Sequence, residues 1–232
     1  MGTMVIHCEW LLTMAEGQEP IHDAYLKIVD GRIVALGPWR ESVADHSTEV
    51  IDAQDKLVMP GLINTHTHAA MVLFRSLADD LPLDSWLKEK IWPLEEKLTP
   101  EDVYHGTRLA INEMLLSGTT TFADMYFFMD EVARAVEESG IRAVLARGLI
   151  GEAVELSKKW KGKADGRITA MLGPHAPYTL PPEFLRQVVT IARHHQLSLH
   201  IHVAETRDEL EEISKNYGKR PIAYLVDQGV FS

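Results

Sequence analysis

Residues 59–71 read Met-Pro-Gly-Leu-Ile-Asn-Thr-His-Thr-His-Ala-Ala-Met, and the fold turns on them. A proline-glycine break opens a short apolar run, 61–66, that closes on His66-Thr67-His68. Residues i and i+2 of a strand face the same side. Two imidazoles therefore project together from one strand end, a spacing able to hold a metal ion. Two polar residues closing an ordinary strand would read the same way, so the flanking sequence has to decide.

Downstream of this run, short apolar stretches alternate with helical patterns. Further strands are expected at 119–124, 141–147, 168–174 and 197–203. Helices are expected at 82–91, 100–116, 130–139 and 182–195, then at 207–216 and 221–228. The helix at 100–116 carries Thr99 as N-cap, Pro100 at its first position and Gly118 just past its end. Residues 148–161 read as a variable loop. The βαβα alternation requires a parallel sheet covered by helices, and a doubly wound sheet or a (β/α)8 barrel both satisfy it. No Gly-x-Gly-x-x-Gly follows a strand, so the dinucleotide-binding form lacks its fingerprint.

Upstream, residues 1–58 are β-rich. Runs at 5–12, 24–29 and 33–36 are strand candidates, the last two joined by the hairpin signal Asp30-Gly31. Shorter runs lie at 50–52 and 57–59. The economical assignment is a partial β-sandwich domain over 1–58 and a helix-covered parallel-sheet domain over 59–232.

Composition narrows the classes. The chain has 232 residues, 46% of them hydrophobic and 25% charged, which excludes wholesale disorder. Its net charge of −11 is the wrong sign for a general nucleic-acid or anionic-membrane binder. No apolar run approaches the roughly 20 residues of a membrane helix. The N-terminus has no basic segment and no small-residue cleavage site, so no signal peptide is expected. Cys8 is the only cysteine, which excludes an intrachain disulfide and fits a reducing cytoplasm.

Six segments carry a resemblance: 59–71, Phe-Arg-Ser-Leu-Ala-Asp-Asp-Leu-Pro-Leu-Asp-Ser-Trp-Leu at 74–87, Trp-Pro-Leu-Glu-Glu-Lys-Leu-Thr at 92–99, Glu-Met-Leu-Leu-Ser-Gly-Thr-Thr-Thr-Phe-Ala-Asp-Met at 113–125, Gly-Pro-His-Ala-Pro-Tyr-Thr at 173–179 and His-Ile-His-Val-Ala-Glu-Thr at 200–206. In this order they resemble the amidohydrolase superfamily, and within it the 5-methylthioadenosine/S-adenosylhomocysteine deaminases. Triazine hydrolases and guanine deaminases share much of the pattern. The resemblance implies the N-terminal part of a (β/α)8 barrel, five strands of eight, beside part of a small β-sandwich. It implies one divalent metal, zinc as the first expectation, held by His66, His68 and His202. Glu205 would carry protons between the attacking water and the purine. His175 would contact the base, Glu95 the ribose hydroxyls and Arg147 the tail side of the substrate. Dinuclear relatives carry a carboxylated lysine at the place of His175, so a mononuclear site is implied. The reaction would convert the adenine of the thionucleoside to hypoxanthine with release of ammonia. The same machinery on guanine, cytosine or an s-triazine is the alternative, and so is a non-catalytic fragment or interaction subunit.

Without the resemblance several of these residues have plainer explanations. Glu205 would be a solvated loop carboxylate, Glu95 a helix-end charge like Glu96, and Arg147 half of a structural ion pair. His200 is expected inside the barrel, one layer below His202. Asp124 is a candidate support for the metal ligands. Trp86 and Phe74 could wall a pocket or simply be core. Asp79-Asp80 reads as a solvated loop, and His7, His22, His46, His105, His194 and His195 receive no role. The 232 residues end before a sixth strand. The resemblance puts a further histidine and a metal-binding aspartate on the sixth and eighth strands, so the chain alone is expected to be inactive. Exposed sheet edges suggest a homo-oligomer, or a second chain supplying the remaining strands.

Overall fold

A computed structural model describes residues 2–45, 48–160 and 162–231. His46, and Lys161 at the end of the expected loop, lie outside the described residues. The chain divides into two compact units, Met1–Gly61 and Leu62–Ser232. Among the described residues, no helix is long and apolar enough to cross a membrane.

The first unit is a four-stranded sheet in the order β3-β2-β1-β4. Its strands are β1 (Thr3–Leu11), β2 (Ile21–Val29), β3 (Arg32–Pro38) and β4 (Glu49–Val58). β2 and β3 form the hairpin expected at Asp30-Gly31, where both residues have positive φ, 50° and 74°. That is the backbone a tight two-residue turn demands. The two short runs expected near 50 and 57 belong to one strand. β4 runs parallel to β1 throughout, with a register shift opposite Cys8 and Trp10. Cys8, Leu11, Ala24 and Ala53 form the buried face of this sheet.

The second unit is built on β5 (Leu62–Thr67), β6 (Thr119–Met125), β7 (Arg142–Arg147) and β8 (Ile168–Leu172), all parallel. After β5 a 3-10 turn, Ala69–Phe74, precedes the helical pieces α1 (Leu83–Ser85) and α2 (Trp92–Glu95). A π-helical turn, Trp86–Ile91, joins them, so the helix expected at 82–91 continues to Glu95. α3 (Pro100–Leu116) matches its expected bounds. Thr99 Oγ1 accepts the Asp102 amide, and the Asp102 carboxylate in turn accepts the Thr99 N–H. α4 (Met129–Ser139) ends on Gly140 at φ 83°. α5 (Ile150–Trp160) corrects the expected loop at 148–161. Its buried residues, Ala153, Leu156 and Trp160, follow helical spacing. The glycine in its first turn and the paired lysines near its end hide that stripe in the sequence. α6 (Pro182–His195), α7 (Arg207–Tyr217) and α8 (Pro221–Asp227) complete the unit.

The sheet order is β5-β6-β7-β8, without reversal. A doubly wound sheet reverses its order at the ligand site, whereas a barrel adds strands in sequence. The fifth expected strand, 197–203, lies parallel to β8 through a single bridge, Leu172 to Leu199. Leu172 N donates to Ser198 O at 3.0 Å, His200 N to Leu172 O at 2.9 Å and His202 N to His175 O at 2.9 Å. This segment and β5 stand at opposite ends of the sheet. On a flat sheet they would be about 19 Å apart at normal strand spacing. Yet His66 Nδ1 and His200 Nε2 are 2.8 Å apart. The sheet therefore curls around an interior, as an arc of a barrel. On its other side β5 has no ladder partner among the described residues, and Leu62 and Ile63 are more than half exposed.

The core lies between the sheet and its helices, with Phe122, Leu145, Val132, Val136, Val103 and Ile111 fully buried. Gly106 in α3 lets the helix lie against the turn that follows His68. A Cβ there would come within 2.8 Å of Ala70 O and 3.0 Å of Leu73. Glycine costs about 1 kcal/mol of helix propensity, and overpacking typically costs about 1–3 kcal/mol. Gly106→Ala is therefore expected to lower stability by up to about 2 kcal/mol. Urea unfolding of the variant checks this, and a gain near the propensity value would contradict the packing argument.

Candidate functional site

His66 lies at the end of β5, His68 immediately after it, and His202 at the end of the segment beside β8. One nitrogen from each lies within 4.8 Å of the other two. Their hydrogen bonds define which nitrogens are free. His68 Nδ1 meets Met125 O at 2.5 Å, and His202 Nδ1 meets His175 O at 3.0 Å. A carbonyl only accepts, so both Nδ1 atoms carry the proton and a neutral ring leaves Nε2 bare. The two Nε2 atoms are 3.2 Å apart. Burial holds the His68 ring below its usual pKa, favouring the neutral form. Two bare lone pairs at that distance repel unless a cation sits between them. Zinc bound by imidazoles at about 2.05 Å in a tetrahedron separates its nitrogens by about 3.3 Å. The donor set thus fits a divalent ion of this type. Burial and the neighbouring imidazoles lower His66 to about 4, so it too is neutral at pH 7. His200, two residues before His202, touches His66 directly, and burial lowers its pKa as well.

A cleft of about 300 Å³ opens in front of the imidazoles. His68, His202, His175, Glu205, Glu95 and Arg147 all line it, with Trp86 and Tyr126 among its walls. His66 and Phe74 are not among the lining residues. A larger cavity of about 940 Å³ shares Glu95, Phe127 and Arg147 with it and extends past Glu152 and Lys159.

Each lining residue has a definite support. Glu95 is half-buried and accepts the Tyr126 hydroxyl at 2.7 Å. Burial pushes its carboxyl above the usual range, and the tyrosine bond partly offsets the rise. Burial and Glu95 push the Tyr126 hydroxyl up. Arg147 donates Nε–H to Glu152 at 2.5 Å and lies 5.3 Å from the Phe127 ring centroid. The ion-pair explanation of Arg147 is thus realised at the cleft wall itself. His175 pairs with Thr179 Oγ1 at 3.2 Å, and its ring centroid is 5.0 Å from that of His202. Glu205 is exposed to the cleft and accepts the Tyr178 hydroxyl at 3.3 Å. Burial, then Glu205, pushes that hydroxyl up to about 12. Asp124 is fully buried and accepts Ala69 N–H at 2.9 Å, fixing the turn that leaves His68. Burial pushes its carboxyl up to about 7.

Glu96, Asp79 and Asp80 are exposed. His7 pairs with Asp23 at 2.7 Å and stacks on Trp39, and His105 pairs with Glu101 on α3. His194 and His195 sit in the last turn of α6. Sequence reasoning missed Tyr126, Tyr178, Glu152 and Glu209. Glu209 alone had a visible signal, the Thr206-x-x-Glu209 spacing of a helix start.

Fold and site together define a (β/α)-barrel protein with an imidazole cluster at the C-terminal ends of its strands. Comparison with known proteins refines this. Residues 57–228 match the model of the amidohydrolase family. The 5-methylthioadenosine/S-adenosylhomocysteine deaminase of Pelotomaculum thermopropionicum is 52% identical over 100% of this chain and 56% of its own length. The protein of the same name from Syntrophomonas wolfei is 56% identical over 91% of this chain and 51% of its own length. A crystal structure of an adenosine deaminase from Xanthomonas campestris with bound zinc superposes with a TM-score of 0.91. It is 32% identical, over 98% of this chain and 55% of that one. This chain belongs to the amidohydrolase family. It spans about half the length of the curated relatives it matches.

The Tyr126 bond gives a signed test of the cleft electrostatics. Tyr126→Phe removes the group that lowers the Glu95 pKa and leaves the burial that raises it. The Glu95 carboxyl is expected to titrate higher in the variant, read by carbon-detected NMR of its Cδ. A carboxyl raised on folding favours the native state at low pH, and that contribution fades as pH rises through the folded pKa. The fade should extend to higher pH in the variant. An unchanged or lower Glu95 titration would contradict the assignment.

Proposed function

We propose that this chain is the N-terminal part of a metal-dependent aminohydrolase that deaminates the adenine of 5-methylthioadenosine or S-adenosylhomocysteine. The observation that carries the reading is the pair of bare Nε2 atoms of His68 and His202, 3.2 Å apart, on a cleft that also holds Glu205. The substrate class is supported by the names of relatives about half identical in sequence.

His66, His68 and His202 would hold one divalent ion, zinc first, in keeping with the zinc in the adenosine deaminase structure. An ion of this kind lowers the pKa of a water molecule toward about 7 and so supplies a nucleophile at neutral pH. Glu205 takes the proton of the attacking water and delivers it to N1 of the purine as the oxygen adds to C6. Ammonia leaves C6, and adenine plus water becomes hypoxanthine plus ammonia. His175 contacts the base from beside His202. Glu95 accepts from the ribose hydroxyls, a task suited to a carboxylate with free lone pairs. Arg147, held by Glu152, faces the substrate tail where the smaller cleft joins the larger cavity. The activity belongs to a polypeptide with all eight strands, supplied by its own further sequence or by a second chain, and self-association would cover the open edge of β5. A cytoplasmic location is supported by the single, buried Cys8.

The test uses these residues alone and completed by the C-terminal part of the Pelotomaculum thermopropionicum relative. The completed protein is expected to deaminate S-adenosylhomocysteine or 5-methylthioadenosine, to stop on chelation and to recover with zinc. Glu205→Gln should lower kcat by about 100-fold to 10,000-fold. The ultraviolet change from adenine to hypoxanthine reads each case. Turnover of guanine, cytosine or a triazine in place of adenine nucleosides would overturn the substrate. Metal-dependent turnover by the 232-residue chain alone would overturn the need for completion.

A further inference from the structure

Glu209 is a charged residue in an unusual place. It stands in the first turn of α7 and is 2% exposed. Its Oε1 accepts Ala204 N–H at 2.9 Å, and its Oε2 accepts Glu205 N–H at 2.7 Å. An ordinary capping box would send this carboxylate to the amide of the N-cap residue, here Thr206. Thr206 does accept the Glu209 amide at 3.0 Å, but the glutamate reaches past it to the two residues before. Those two residues are the turn that presents Glu205. Ala204 holds φ 56° there, a left-handed backbone that a residue with a Cβ adopts only when its surroundings impose it.

We propose that Glu209 is a positioning residue that fixes the Glu205 backbone through both amides, so that the Glu205 carboxylate stands ready at the cleft. The inference rests on the role given to Glu205 above. Only a carboxylate offers two acceptors in this geometry. A glutamine would turn one NH2 toward a backbone N–H, so two donors would face each other. The Tyr178 hydroxyl steadies the Glu205 side chain from the other side, which leaves the backbone turn to Glu209.

The proposal is tested in the completed protein with Glu209→Ala, Glu209→Gln, Glu205→Ala and the double variant Glu205→Ala/Glu209→Ala. Loss of positioning is expected to lower kcat by about 10-fold to 100-fold, with KM and bound metal within about 2-fold of the parent. Glu209→Gln should fall nearly as far as Glu209→Ala. The double variant should be no slower than Glu205→Ala alone, because groups acting as one unit do not add. Losses that multiply, or an unchanged kcat in both Glu209 variants, would overturn the proposal. So would parallel loss of KM and metal, which marks a merely structural role. Should the alanine variant fail to fold, the near-isosteric glutamine variant answers the same questions. Hydrogen exchange at the Ala204 and Glu205 amides reads the clamp without turnover. Faster exchange is expected in both Glu209 variants, and unchanged protection would refute the clamp. An active Glu205→Ala protein would instead refute the role of Glu205, with the exchange result standing apart.

Discussion

Three backbone hydrogen bonds tie residues 198–202 to β8 and to the loop after it. Everything at the site depends on that pairing. It fixes the height of His202 against the strand ends, and parallel strands carry their C-terminal ends to one side of the sheet. His66 and His202 are separated by the whole sheet in sequence, yet the curl of the sheet sets their ring centroids 4.7 Å apart. A slip of one residue would turn His202 to the opposite face, because strand side chains alternate.

The second constraint is electrostatic. The carbonyls of Met125 and His175 dictate the tautomers of His68 and His202 and leave two acceptors facing each other. An unpaired buried polar group costs about 1–3 kcal/mol. Such a pair is tolerated where a cation resolves it, and these tautomers aim both Nε2 atoms at the position a ligated ion would take. Around it the protein spends other buried polar groups on position. Asp124 holds the turn after His68, Tyr126 holds Glu95, and Glu209 holds the turn before Glu205. None of these would be informative on its own. Together they hold the turn after His68, the Glu95 carboxylate and the turn before Glu205, the kind of positioning that precise chemistry requires.

Much of this was legible in one dimension. His66 and His68 share a face because strand periodicity is two, and α3 announces itself through Thr99, Pro100 and Gly118. The hairpin at Asp30-Gly31 follows from local backbone preference. These are local rules, satisfied within a few residues. α5 was illegible because only three of its eleven residues are buried, and its apolar positions become a helix face only when the sheet covers Ala153, Leu156 and Trp160. The merging of two short runs into β4 was decided by pairing along β1, which continues across the register shift between Cys8 and Trp10.

By itself, then, the sequence determined the alternation of strands and helices, the imidazole pair at the end of β5 and the family to which the chain belongs. The strand and helix pattern left a barrel and a doubly wound sheet open, and the family resemblance implied the barrel; the tertiary structure shows it directly, because strand order and curvature arise from pairings between distant segments. It also decided that Arg147 meets Glu152, that Tyr126 meets Glu95 and that Glu209 bypasses its own helix cap. Tyr126 and Glu95 stand 31 residues apart and meet only through tertiary packing, whereas the other two contacts span four or five residues and depend on the path of the backbone just past a strand end, which no hydrophobic periodicity encodes.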